Sequence, residues 1–108
     1  MKSEGIERDC AGRDTPADIN NCIAWHEGLA SGNLTRATKL IDTSLLRHGN
    51  NSAYLDTKSM VQGMKGEAQR ALELLQEAAF LSPSDPYLMW RILVLERTIE
   101  GTSSVLGE

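Results

Sequence analysis

The chain has few aromatic residues, no surplus of basic ones and no long apolar run. Among its 108 residues only Phe80, Tyr54, Tyr87, Trp25 and Trp90 are aromatic, while Leu, Ala, Met and Glu are common. That balance favours helices over a β-sandwich or barrel. Lys and Arg total 11 against 15 Asp and Glu, for a formal net charge of −4. A phosphate backbone is therefore repelled on average, and no helix face collects enough Lys and Arg to reverse this, so nucleic acid is not an expected partner. No uncharged apolar run reaches the ~18 residues of a membrane-spanning helix. The opening Met1-Lys2-Ser3-Glu4-Gly5-Ile6-Glu7 also lacks the apolar stretch of a signal peptide. These absences predict a soluble cytoplasmic protein with no membrane insertion.

Reactive groups are scarce as well. Cys10 falls in a polar leader and Cys22 in an apolar pattern, twelve positions on, which gives neither a CxxC pair nor a disulfide framework. Both are read as free thiols. Cys22 and His26 lie one helical turn apart and share a face, but a zinc site needs about two more ligands. The pattern brings neither Cys10 nor His48 to them, so no metal or cofactor is expected. There is no Gly-rich phosphate loop, no nucleophile elbow and no carboxylate pair bracketed by strands, so an enzyme is not indicated. Two matches to the glycosylation sequon, at Asn33 and Asn50, carry no weight without a secretory signal.

What is present is helical punctuation. Residues 1–14 are a polar leader without periodicity, expected to be flexible. Thr15-Pro16-Ala17-Asp18 then offers a cap, a proline suited to the first helical position and an acidic first turn. Apolar positions follow at Ile19, Cys22/Ile23, His26 and Leu29/Ala30, up to the break at Ser31-Gly32-Asn33. A second helix carries Leu34, Ala37, Leu40/Ile41 and Ser44/Leu45, and ends at His48-Gly49. A third, from Ser52 to about Met64, is weaker in pattern. The fourth is the clearest, with Ala68, Ala71, Leu72, Leu74/Leu75, Ala78/Ala79 and Leu81 stopped by Ser82-Pro83. Asp85-Pro86 opens a fifth, with Leu88, Met89, Ile92, Leu93 and Leu95, running toward Gly101. Residues 15–101 thus form a single all-α domain of about five helices, and 102–108 a frayed tail. The charged positions Arg36, Lys39, Glu73 and Glu77 are read as solvated helix faces.

Sliding the chain by 34 residues aligns Gly32 with Gly66, Ala37 with Ala71, Leu40 with Leu74, Ile41 with Leu75 and Ser44 with Ala78. A helix-turn-helix unit at that period is the sequence sign of a stacked repeat array. The stretch from Gly66 to Pro83 resembles the second half of a tetratricopeptide repeat. In that family a glycine allows the inter-helix turn, two alanines let the paired helices approach, and a proline closes the unit. Gly66, Ala71, Ala78 and Pro83 occupy those places. The first unit is a degenerate copy, with Ser44 for the second alanine and Gly49 for the proline. Asn21 and Leu55 stand where a large apolar residue is expected early in each first helix, and Lys58 and Gln62 where apolar ones are usual.

The resemblance implies antiparallel helix-turn-helix repeats, a tetratricopeptide-like α-solenoid whose first helices line a concave groove. It places Ile19, Cys22, His26 and Leu29 there from the first unit, Asp56, Met60 and Met64 from the second, and Tyr87, Trp90, Arg91 and Val94 from the fifth helix. Such an apolar groove, with adaptable methionines and one large aromatic anchor, suits an apolar or amphipathic segment of a protein partner, in an adaptor or chaperone-like role. The competing expectation is that Met60, Met64 and Trp90 are core, since a small helical domain uses the large apolar residues it has. Trp25 is expected to pack between the first two helices. Repeats that hold an acidic C-terminus use a basic clamp; here those places carry Cys22, His26, Thr57 and Tyr87 with only Arg91 basic, which argues against that partner. A second expectation is a homodimer built through the exposed fifth helix, because two repeats are fewer than the ~3 usually needed for a stable stack.

Overall fold

In a computed structural model, the described backbone comprises residues 8–13 and 15–107, with side-chain surroundings for these apart from 31 and 102–107. Among the described residues there are helices and no strands. The elements are α1 (Pro16–His26), continued by a π-turn (Glu27–Ser31), then α2 (Leu34–His48), α3 (Ser52–Met64), α4 (Ala68–Leu81) and α5 (Pro86–Gly107). Residues 8–10 add a short helical piece ahead of α1.

Local chemistry sets the boundaries. Thr15 Oγ1 accepts from the Asp18 amide at 3.1 Å with Pro16 opening α1, Asn33 Oδ1 accepts from the Arg36 amide at 3.1 Å, and Asn51 Oδ1 accepts from the Ala53 amide at 2.8 Å. Each cap satisfies an amide that has no partner within its helix. Gly32 (φ 69°) and Gly66 (φ 88°) reverse the chain in the left-handed region, which residues with a β-carbon adopt reluctantly.

α1 packs on α2 and α3 on α4 as two hairpins, α3 also lies beside α1, and α5 closes the stack against α4. The residues related by 34 positions hold matching places. Ala37 and Ala71 are both buried where their helices meet the partner, as are Ile41 with Leu75 and Ser44 with Ala78. One core joins Ala17, Ala24, Ala37 and Ile41 of the first hairpin to Tyr54, Met60 and Val61 of α3. The second centres on Leu55, Leu72, Leu74, Leu75, Ala78, Leu88 and Ile92. Leu45 packs against both and joins them. Two buried serines serve the close approaches: Ser44 Oγ donates to the Ala17 carbonyl at 2.9 Å, and Ser59 Oγ to the Ala71 carbonyl at 2.7 Å. A small hydroxyl there satisfies itself and leaves room for the facing backbone.

Four expectations are corrected. Cys10 and Cys22 are not free thiols but a disulfide, with Cα atoms 5.6 Å apart. The polar leader folds back on α1, which spacing along the chain does not reveal. Residues 8–13 are consequently tied down, whereas 1–7 and 14 lie outside the described residues. α5 does not stop near Gly101 but continues as helix to Gly107; residue 108 lies outside the described residues. Arg36 is not simply a solvated charge, because its Nε lies 3.5 Å from the fully buried Glu27 carboxylate. The end of the first helix is a π-turn, which carries Gly28 against Met60; a β-carbon on Gly28 would lie 3.0 Å from Met60 Cε.

Candidate functional site

The inner side of the stack holds an open pocket of about 560 Å³. Its base is one face of α1, made by Asp18, Asn21, Cys22, Trp25 and His26, which recur at three and four residues. Ala53, Asp56 and Thr57 on α3 form a second wall, Tyr87 at the start of α5 a third, and Gly12 and Arg13 of the leader close the end. Residues of α1, α3 and the start of α5 therefore line the pocket, while the disulfide holds the leader across one end.

Of the residues expected in the groove, Cys22, His26, Asp56 and Tyr87 meet here. Ile19 is partly buried against the disulfide cluster instead. Leu29 is exposed on the π-turn, Met64 is exposed at the far end of α3, and Val94 is exposed on α5; none of them lines the pocket. Met60 is 7% exposed and belongs to the core, because the π-turn at Gly28 covers it. Trp90 is 60% exposed and stands outside the pocket, although its ring centroid is 6.3 Å from that of Tyr87 on the rim. Trp25 packs against the first core and also lines the pocket. The pocket face of α1 sits one residue earlier than the apolar stripe suggests, because the apolar side turned into the core. The polar positions at Asp18 and Asn21 carried that signal, and a reading that follows only hydrophobic spacing passes over it.

Arg91 does not line the pocket. Its Nη1 pairs with Asp56 Oδ1 and donates to the Asp56 carbonyl at 3.3 Å, and its guanidinium carbon is 6.0 Å from the centre of the Trp25 ring. Burial pushes the Arg91 pKa down from its ordinary value. Its charge is thus spent on Asp56 and Trp25, locking α5, α3 and α1 together. Asp18 is similarly engaged, accepting from the Tyr54 hydroxyl at 2.7 Å. Burial, and then the Asp18 carboxylate, raise the Tyr54 pKa. By contrast, Asn21 Oδ1 is buried at the pocket and has no hydrogen-bond partner among the described residues.

The disulfide and His26 form a second feature. A sulfur from each of Cys10 and Cys22 and a ring nitrogen of His26 lie within 4.8 Å of one another. Among the described residues no helix is long and apolar enough to cross a membrane. No family model matches the chain, and searches of curated proteins and of solved structures likewise return no match. Fold and geometry define an all-α protein of stacked helix hairpins with a concave polar-aromatic pocket.

Proposed function

We propose that this chain is a protein-interaction module of tetratricopeptide type, without catalytic activity, whose pocket receives an extended amphipathic segment of a partner protein. The observation that carries the reading is Asn21 Oδ1. A buried acceptor without a donor costs free energy, and a turn of the Asn21 side chain on the pocket wall would present it to a peptide N–H entering there. Beyond the rim, the Tyr87–Trp90 pair continues onto the exposed Val94, giving apolar side chains a surface beside the polar pocket. A partner with one polar and one apolar side fits that sequence of surfaces. A cytoplasmic setting belongs to this reading, with Cys10–Cys22 then exchanging between disulfide and dithiol according to the redox poise.

Selection from a displayed peptide library tests it. Enriched peptides should bind the wild-type protein, and should bind Asn21→Leu and Trp90→Ala proteins at least about tenfold more weakly, a change near 1.4 kcal/mol. Peptides that bind all three proteins equally, or no enrichment at all, would end the reading.

The exposed face of α5 favours a second one. Met89, Trp90, Leu93 and Val94 are all at least 46% exposed at one-helix-face spacing. A second copy covering that face makes the protein a homodimer. Sedimentation across a concentration series decides this, with Leu93→Glu expected to yield monomer while leaving peptide capture in the pocket intact.

A further inference from the structure

We propose that Cys10, Cys22 and His26 form a metal-binding site in the reduced protein, taking a borderline-soft divalent cation such as Zn²⁺. Their ligand atoms lie within 4.8 Å of one another, so small side-chain movements bring all three to one ion. Two thiolates and an imidazole are a donor set suited to zinc, which accepts sulfur and nitrogen at ~2.0–2.3 Å in tetrahedral geometry. The 5.6 Å between the two Cα atoms suits the disulfide seen here. Once the bond opens, the sulfurs need only part at the cysteine torsions to share an ion.

The fold supplies the arrangement from two directions. Cys22 and His26 sit four residues apart on rigid α1, and Cys10 arrives on the leader. Both α1 ligands line the pocket, so an ion held there borders the cavity and its fourth position is open to water or to a donor from a pocket occupant. Both cysteines are buried, whereas His26 is exposed, which leaves the imidazole free to turn onto the ion.

A dithiol reductant opens the Cys10–Cys22 bond by exchange, becoming a disulfide as the protein gains two thiols. The divalent cation then displaces one proton from each thiol and accepts the neutral imidazole as its third ligand. Exchange with a small-molecule disulfide, which is itself reduced to two thiols, restores the Cys10–Cys22 bond and expels the ion. The leader is thus fastened over the pocket either by a sulfur–sulfur bond or by a metal.

The test uses the full chain, reduced with a dithiol, freed of reductant and metal without air, and titrated with Co²⁺ as a spectroscopic probe. The expected result is thiolate-to-cobalt charge-transfer absorption that saturates at about one ion per chain. It should be absent from the oxidised protein, lost in Cys10→Ser and Cys22→Ser, and displaced by Zn²⁺. His26→Ala, at an exposed position that leaves packing intact, should bind at least about tenfold more weakly for want of its nitrogen ligand. Circular dichroism follows the fold of the reduced chain. Reduced protein that binds no cobalt, whether folded or unfolded, overturns the proposal. So does a His26→Ala protein that binds as tightly as wild type.

Discussion

The guanidinium of Arg91 lies over the indole of Trp25, 6.0 Å from the ring centroid, while pairing with the carboxylate of Asp56. Three helices distant in sequence meet at that point. The side chains of Arg91 and Asp56 are 18% and 14% exposed, so the pair is largely withdrawn from water. Arg91→Ala should cost about 2 kcal/mol, since it strands a carboxylate and frees α5 at its first turns. Urea unfolding measures the loss. A double-mutant cycle with Asp56→Ala should return a coupling of about 1 kcal/mol or more, and additive effects would mean the pair contributes nothing net.

The two tryptophans should behave oppositely. Trp25 packs against the first core, and Trp25→Ala should cost about 3 kcal/mol. Trp90 is 60% exposed, and Trp90→Ala should change stability by no more than about 0.5 kcal/mol. Thermal unfolding of the two variants side by side distinguishes core from surface.

Ser59 is fully buried with its hydroxyl on the Ala71 carbonyl, where α3 and α4 pack closely. Ser59→Ala should cost only about 1 kcal/mol, because it removes one hydrogen bond. Ser59→Leu should cost more than about 2 kcal/mol by forcing the helices apart. Equal losses for the two would show that space is not limiting there.

The Cys10–Cys22 bond closes a loop of sequence separation 12. Opening it releases chain entropy to the unfolded state and should lower stability by about 3 kcal/mol. Unfolding with and without reductant, in the absence of metal, gives the difference. Limited proteolysis should then cut near Gly12 and Arg13 in the reduced protein first.

Tyr54 predicts an alkaline limit. Its pKa is raised from the ordinary value of 10.0, by burial and then by Asp18, so the folded state holds the phenolic proton more tightly than the unfolded chain does. That contribution is fully present below pH ~10 and is lost as pH climbs toward the higher folded-state pKa. Tyr54→Phe should therefore flatten the fall in stability above pH ~10 while lowering stability at neutral pH by about 1 kcal/mol. Chemical denaturation at neutral and alkaline pH checks both arms.

Local chemistry by itself determined most of the helical frame. Thr15-Pro16, Asn33, Asn51 and Asp85-Pro86 open helices because their side chains or rings suit the orphan amides of a first turn, whatever the surroundings. Gly32, Gly49 and Gly66 close them because only glycine takes a positive φ at little cost. The 34-residue correspondence likewise reported which small residues sit at helix crossings. What needed the tertiary structure was everything depending on how far a polar segment travels through space. The leader gives no periodic signal, yet it folds back to bond Cys10 to Cys22 and to set both beside His26. The family resemblance offered Met60 to the groove, with the core as the competing expectation; packing against Gly28 puts it in the core, and the pocket is lined by Asp18, Asn21 and Trp25. Helix caps act within one turn of chain, whereas a pocket is assembled by side chains dozens of residues apart, and only the packed helices decide which of them face it.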